Sequence, residues 1–223
     1  MYVKDHMTKD PRTITPETSV SKALDIMQQN DFHRLPVVDA GGKLIGLITE
    51  GVISESSGSK TTSLDMYELN YLLSRTTVKD IMITDVQTIE PDALVEEAAT
   101  KMLKSSIAVL PVVDEAEKVV GIITENDIFA AFLDLLGYTT AGTRFVINVQ
   151  KDHPGILEDV SGLFAAQKIN LTNIAVYYTV RGVEVVVLAV GECSYMLDML
   201  KAKGYNVTNM LVKQAEEKTG ARE

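Results

Sequence analysis

The 223-residue sequence predicts an α+β fold in which one unit is used twice and a different unit follows it. Three observations predict this. Short β-branched runs of strand length alternate with segments whose apolar residues recur at helical spacing. The pattern that begins at Val3 begins again at Val78. A third pattern, from Arg144 onward, matches neither of the first two.

Met82 follows Met7 by 75 residues (82 − 7), and the same step carries Leu35-Pro36-Val37-Val38-Asp39 onto Leu110-Pro111-Val112-Val113-Asp114. It also carries Val3-Lys4-Asp5 onto Val78-Lys79-Asp80 and Ile48-Thr49-Glu50 onto Ile123-Thr124-Glu125, without a gap. Each copy reads short strand, helix, strand, hairpin, strand, helix. The helix follows from Val20, Ala23, Leu24 and Met27 in the first copy and Val95, Ala98, Ala99 and Met102 in the second, a spacing that makes one face apolar. Ser19 can cap the first helix, whereas Leu94 in the matching place cannot. Gly41-Gly42 supply positive φ to the first hairpin; Ala116-Glu117 replace them in the second, where a different turn geometry is expected. Between the copies, Ser54 to Ser63 is loop by composition and Leu64 to Arg75 has helical spacing. The helix closing the second copy runs through Phe129 and stops at Gly137.

After a linker at 138–143, Phe145 to Val149 reads as a strand and Asp152 to Gly155 as a turn. Ile156 to Lys168 reads as a helix with Ile156, Val160, Leu163 and Phe164 on one face. Strands at Leu171 to Thr179 and Val183 to Val190 meet at Arg181-Gly182, and a helix from Ser194 and a strand from Tyr205 complete a βαββαβ, ferredoxin-like plait. The expected boundaries are 1–62 and 63–137 for the two copies and 144–212 for the plait, with a charged tail at 213–223 that frays.

Composition narrows the function. A net charge of −10 without a Lys/Arg cluster argues against nucleic-acid backbones as partners, though not against a small nucleotide in a locally basic pocket. No apolar run is long enough to cross a bilayer, so a cytoplasmic protein is expected, with no membrane partner. One cysteine excludes an internal disulfide, and three scattered histidines give no metal-ligand spacing. There is no nucleophile and base pair, phosphate-binding glycine loop or metal cluster, so no catalytic residue is expected. Cys193 stands beside Glu192, which disfavours a thiolate, and reads as inert.

The chemistry concentrates at Thr124 and Asp127. They flank the expected start of a helix, where unpaired backbone N–H groups and the positive dipole end favour a phosphate. A carboxylate three residues on accepts hydrogen bonds well from a ribose diol. The same spacing also makes a capping box that binds nothing. The first copy keeps Thr49 but has Val52 in the place of Asp127, so one nucleotide site per chain is expected.

Each copy resembles a CBS domain, two of which pack as a Bateman module, and Gly121-Ile122-Ile123-Thr124-Glu125-Asn126-Asp127 resembles that family's phosphoribosyl motif. Residues 144–212 resemble an ACT domain, whose signature stands here as Asp152-His153-Pro154-Gly155-Ile156-Leu157. The order of the three resembles bacterial acetoin-utilisation regulatory proteins. These resemblances imply a non-enzymatic regulator binding AMP, ADP, ATP or S-adenosylmethionine. They further imply a homodimer and a regulated protein partner. His33 and Arg34, where the second copy has Ala108 and Val109, then reach a phosphate, and the adenine lies near Val86, Ile89 and Pro111. In the ACT-like part, Gly155 lets a ligand carboxylate approach backbone N–H groups, and Asp152 and Asn170 can hold an amino acid's polar groups. The alternative is a ligand-independent dimerisation scaffold, in which the same residues are caps and turns.

Overall fold

The first copy of the repeat forms α1 (Val3–His6), β1 (Thr8–Lys9), α2 (Val20–Asn30), β2 (Arg34–Val38), β3 (Leu44–Thr49) and α3 (Glu50–Ser56). The second forms α4 (Met66–Arg75), a 3-10 turn at Val78–Asp80, α5 (Val95–Ser105), β4 (Val109–Val113), β5 (Val119–Thr124) and α6 (Glu125–Leu135). A computed structural model describes residues 1–56, 66–149, 153–180 and 182–214. They fall into two units, Met1–Phe129 and Ala130–Glu223. The expected loop beyond Ser56, the helix start at Leu64, Asp152, Arg181 and the tail beyond Gln214 lie outside the described residues.

Ser19 caps α2, its Oγ accepting the Lys22 N–H at 3.3 Å. At α5 the Leu94 N–H donates instead to the Glu97 carboxylate at 3.2 Å, so a different side chain covers the helix start. Ahead of the long helix of each copy, the chain also makes a single parallel bridge, Ile14 with Val37 and Ile89 with Val112.

The expectation that the second hairpin turns differently is corrected. Asp39 Oδ1 accepts the N–H groups of Gly41 and Lys43 at 2.8 and 2.9 Å. Asp114 Oδ1 accepts those of Ala116 and Lys118 at 2.9 Å each. Gly42 has φ 82° and Glu117 has φ 61°, so the aspartate sets one geometry in both turns and Glu117 takes the left-handed conformation that glycine adopts freely. That conformation costs an L-residue about 1–2 kcal/mol. Glu117→Gly therefore raises stability by about 0.5–1 kcal/mol in denaturant titration, after loss of the exposed Lys43–Glu117 ion pair (3.0 Å), a contact of small worth.

The two copies exchange their N-terminal straps. Val3, fully buried, packs with Ile89, Met102, Leu110 and Ile123 in the second core. Val78, equally buried, packs with Val20, Met27, Leu35 and Ile48 in the first. Backbone pairing follows the same exchange: β1 lies antiparallel to β5, Thr8 opposite Ile122, and Ile83 bridges Leu47 of β3. Glycine makes room for the straps. A β-carbon on Gly121 would overlap the Met7 sulfur, and one on Gly46 the Met82 sulfur.

In the second unit, β6 (Gly142–Val149), α7 (Ile156–Ala166), β7 (Leu171–Thr179), β8 (Gly182–Ala189), α8 (Met196–Ala202) and β9 (Asn206–Lys213) form a sheet in the order β7-β8-β6-β9. All its pairings are antiparallel, the ferredoxin-like topology. Alternate residues of β6 and β8, among them Phe145, Ile147, Val185 and Val187, face Val160 and Phe164 of α7 and Met196 and Leu200 of α8. The Phe145 and Phe164 rings meet edge to face at 5.5 Å. Cys193 is buried in this core, and Thr143 Oγ1 accepts its N–H at 2.9 Å.

Candidate functional site

Among the described residues of the first unit, two clefts are built by the strap exchange. Pairing of β1 with β5 brings Thr8, Pro11 and Arg12 beside Ile122 and Thr124. The strand entrance of the first copy, Phe32 to Pro36, closes a cleft of about 190 Å³. The bridge between Ile83 and Leu47 does the same at the pseudo-equivalent place. There Asp85, Val86 and Gln87 come beside Thr49, Glu50 and Gly51, with Ile107 to Val109 behind, around a cleft of about 400 Å³.

Asp127 Oδ2 accepts both the N–H and the hydroxyl of Thr124, each at 2.7 Å, and the Asp127 N–H donates weakly to Thr124 Oγ1 at 3.4 Å. The capping box is thus closed. Thr124 and Asn126 line the cleft; Asp127, bonded to Thr124, is not among its lining residues. In the first copy only half of the box remains, Thr49 Oγ1 accepting the Val52 N–H at 3.2 Å.

His33 and Arg34 border both clefts. Arg34 donates from one guanidinium nitrogen to the Ala108 carbonyl at 2.9 Å, and His33 Nδ1 lies 2.9 Å from the Glu50 carboxylate. Arg12, exposed on the Thr124 cleft, has Gln87 as its counterpart on the Thr49 cleft. The Thr124 cleft is therefore lined by Arg12 and Arg34 against Asp31, and the Thr49 cleft by Arg34 against Glu50 and Asp85. Only the first is cationic on balance.

The structure separates some residues that the sequence grouped. Val86 lines the Thr49 cleft, away from Thr124. Ile89 is core, bridged to Val112, and Pro111 is buried in the β4–β5 pair opposite Ile122; neither lines either cleft. The apolar wall near Thr124 is instead Pro11, Phe32, Leu35 and Pro36. Pro11 and Arg12 sit one repeat step before Val86 and Gln87, so the internal alignment contained the signal once the straps were known to cross. In the second unit, Gly155 starts α7 with φ 97° and open space at its β-position. Asn170 is exposed ahead of β7. Glu158 and Asp159 occupy the first turn of α7, so a ligand carboxylate there meets like charge.

The CBS domain family matches residues 3–56 and 78–134. A CBS domain-containing protein of Dictyostelium discoideum is 34% identical over 136 residues, 61% of this chain and 91% of that protein. The chain belongs to the CBS domain family. Residues 147–203 match the acetohydroxyacid synthase small subunit-like ACT domain, so the CBS pair is followed by an ACT-like domain. A homoserine O-acetyltransferase of Methanohalobium evestigatum is 35% identical over 127 residues, 57% of this chain but 23% of that enzyme. The chain thus spans less than a quarter of that relative. Among solved structures, the CBS pair of protein MJ0100 in complex with 5′-methylthioadenosine and S-adenosylmethionine is 33% identical, with a TM-score of 0.51, covering 59% of this chain and 99% of that one. CBSX2 in complex with AMP is 28% identical, with a TM-score of 0.51, covering 60% of this chain and 97% of that one. A Vibrio cholerae protein named for acetoin utilization (AcuB) is 30% identical, with a TM-score of 0.51, covering 61% of this chain and 93% of that one.

Proposed function

We propose that this chain is a non-enzymatic, cytoplasmic regulatory sensor whose CBS pair binds one adenine nucleotide in the Thr124 cleft. The observation that carries the reading is the excess of positive charge there: Arg12 and Arg34 line the cleft at the N-terminus of α6 against Asp31, while in the sister cleft Arg34 stands against Glu50 and Asp85. The phosphate lies against Thr124, the first α6 amides and the guanidinium groups, which offer forked, charge-assisted hydrogen bonds. The ribose hydroxyls take the Asp127 oxygen that Thr124 leaves unused, and the base lies on Phe32 and the neighbouring prolines. Solved CBS pairs of similar sequence hold AMP and S-adenosylmethionine, which supports an adenosine ligand.

The ACT-like domain, from about residue 144 in this reading, joins two chains and takes an amino acid at Gly155, Asn170 and Asp152. The regulated partner is a metabolic protein, and the Vibrio cholerae relative supports one of acetoin utilisation. AMP, ADP, ATP and S-adenosylmethionine titrated into the purified chain give a saturable heat and a rise in melting temperature. At a hundredfold excess over Kd the gain is about 2.7 kcal/mol. An unchanged melting temperature with every nucleotide at millimolar concentration is the result expected of the scaffold alternative. The closed Thr124–Asp127 box is the observation on that side.

A further inference from the structure

We infer that the two clefts are coupled through one shared guanidinium, that of Arg34, so that an anion in the Thr124 cleft prepares the Thr49 cleft for a cationic adenosyl ligand and opposes a second anion there. This rests on the nucleotide reading above. Its basis is an asymmetry of the repeat. His33 and Arg34 border both clefts, but their counterparts one step on are Ala108 and Val109, so the two clefts share one guanidinium, that of Arg34.

Both side chains are bonded to groups of the Thr49 cleft. Arg34 is bonded to the Ala108 carbonyl and His33 to Glu50, and Ala108 and Glu50 line only that cleft. A phosphate beside Thr124 draws the guanidinium toward itself, because a charge-assisted bond outweighs one to a neutral carbonyl. The Thr49 cleft then loses its guanidinium and regains the Ala108 oxygen as an acceptor, with Glu50 and Asp85 alongside. Such a cleft favours a ligand that carries positive charge and donors. S-adenosylmethionine has both, in its sulfonium and ammonium groups. A second phosphate would find the shared guanidinium already engaged and two carboxylates facing it. Linkage makes the effect reciprocal: whatever factor AMP applies to the sulfonium ligand, the sulfonium ligand applies to AMP.

Calorimetric titration of the full chain with AMP, S-adenosylmethionine and each in the presence of the other tests this. Bound together, each is expected to lower the other's Kd by about fivefold or more, at the lower end of ordinary allosteric factors. AMP alone is expected to bind with one strong site and a second at least about tenfold weaker. Arg34→Met brings the mutual factor to one, and Arg34→Lys, which keeps the charge, restores part of it; melting curves of both variants establish that they fold. Two equal AMP sites, mutual exclusion of the two ligands, or a factor of one in the wild type overturns the coupling while leaving AMP binding intact. Absence of AMP binding overturns the underlying nucleotide reading as well.

Discussion

Val3→Asp is expected to unfold the second copy of the repeat and leave the first comparatively intact. Val3 is fully buried among Ile89, Met102, Leu110 and Ile123, all of the second copy, although it belongs to the first in sequence. A carboxylate there has no partner, and an uncompensated buried charge costs about 3–5 kcal/mol. Hydrogen exchange should therefore show loss of protection in β4 and β5 with β2 and β3 less affected. The exposed Asp5→Asn, two residues on, should stay within about 0.5 kcal/mol of the wild type. Loss concentrated in β2 and β3 would mean that the strap folds onto its own copy. The substitution also reaches the site, since the strap that Val3 anchors carries Thr8, Pro11 and Arg12 to the Thr124 cleft. Nucleotide affinity should fall with the protection.

Asp127→Ala is expected to separate binding from stability. Its carboxylate completes the cap of α6, and losing such a cap costs about 1 kcal/mol. In the proposed complex its hydrogen bonds to a ribose diol, being bonds to a charged group, are worth about 1.5–3 kcal/mol, which is roughly 10- to 150-fold in Kd. A small loss of melting temperature with a large loss of AMP affinity supports the nucleotide site. The same small loss with unchanged affinity would make the pair a cap alone. Thr49→Ala serves as the comparison: it removes only the 3.2 Å bond to the Val52 N–H and should leave AMP affinity in the Thr124 cleft within about twofold.

Several features were legible because they depend on a few neighbouring residues. The apolar spacing of Val20, Ala23 and Met27 specifies α2 and its buried face, and all three are fully buried. Ser19 announces its cap, Gly137 the end of α6, and the alternation through Phe145, Ile147 and Val149 the buried face of β6. The second hairpin misled because Glu117 suggested by its identity that no positive φ was required. The side chain that decides the turn is Asp114, three residues earlier, whose oxygen gathers the turn's N–H groups as Asp39 does in the first copy. Val86, Ile89 and Pro111 do not line the Thr124 cleft, for a longer-range reason. They share a copy with Thr124, but strap exchange puts Pro11, Phe32 and Pro36 of the other copy beside it.

The sequence alone determined the repeat, its elements, the βαββαβ unit and the Thr124–Asp127 pair, since strand alternation, helix periodicity and capping are set within a turn or two of chain. Tertiary structure decided which copy each strap completes and therefore which residues share a cleft. That choice is made by contacts such as Met7 against Gly121 and Thr8 against Ile122, between residues more than a hundred positions apart, where local periodicity carries no information. It also decided that His33 and Arg34 stand between two clefts, because only the facing of the two copies brings Arg34 within 2.9 Å of the Ala108 carbonyl.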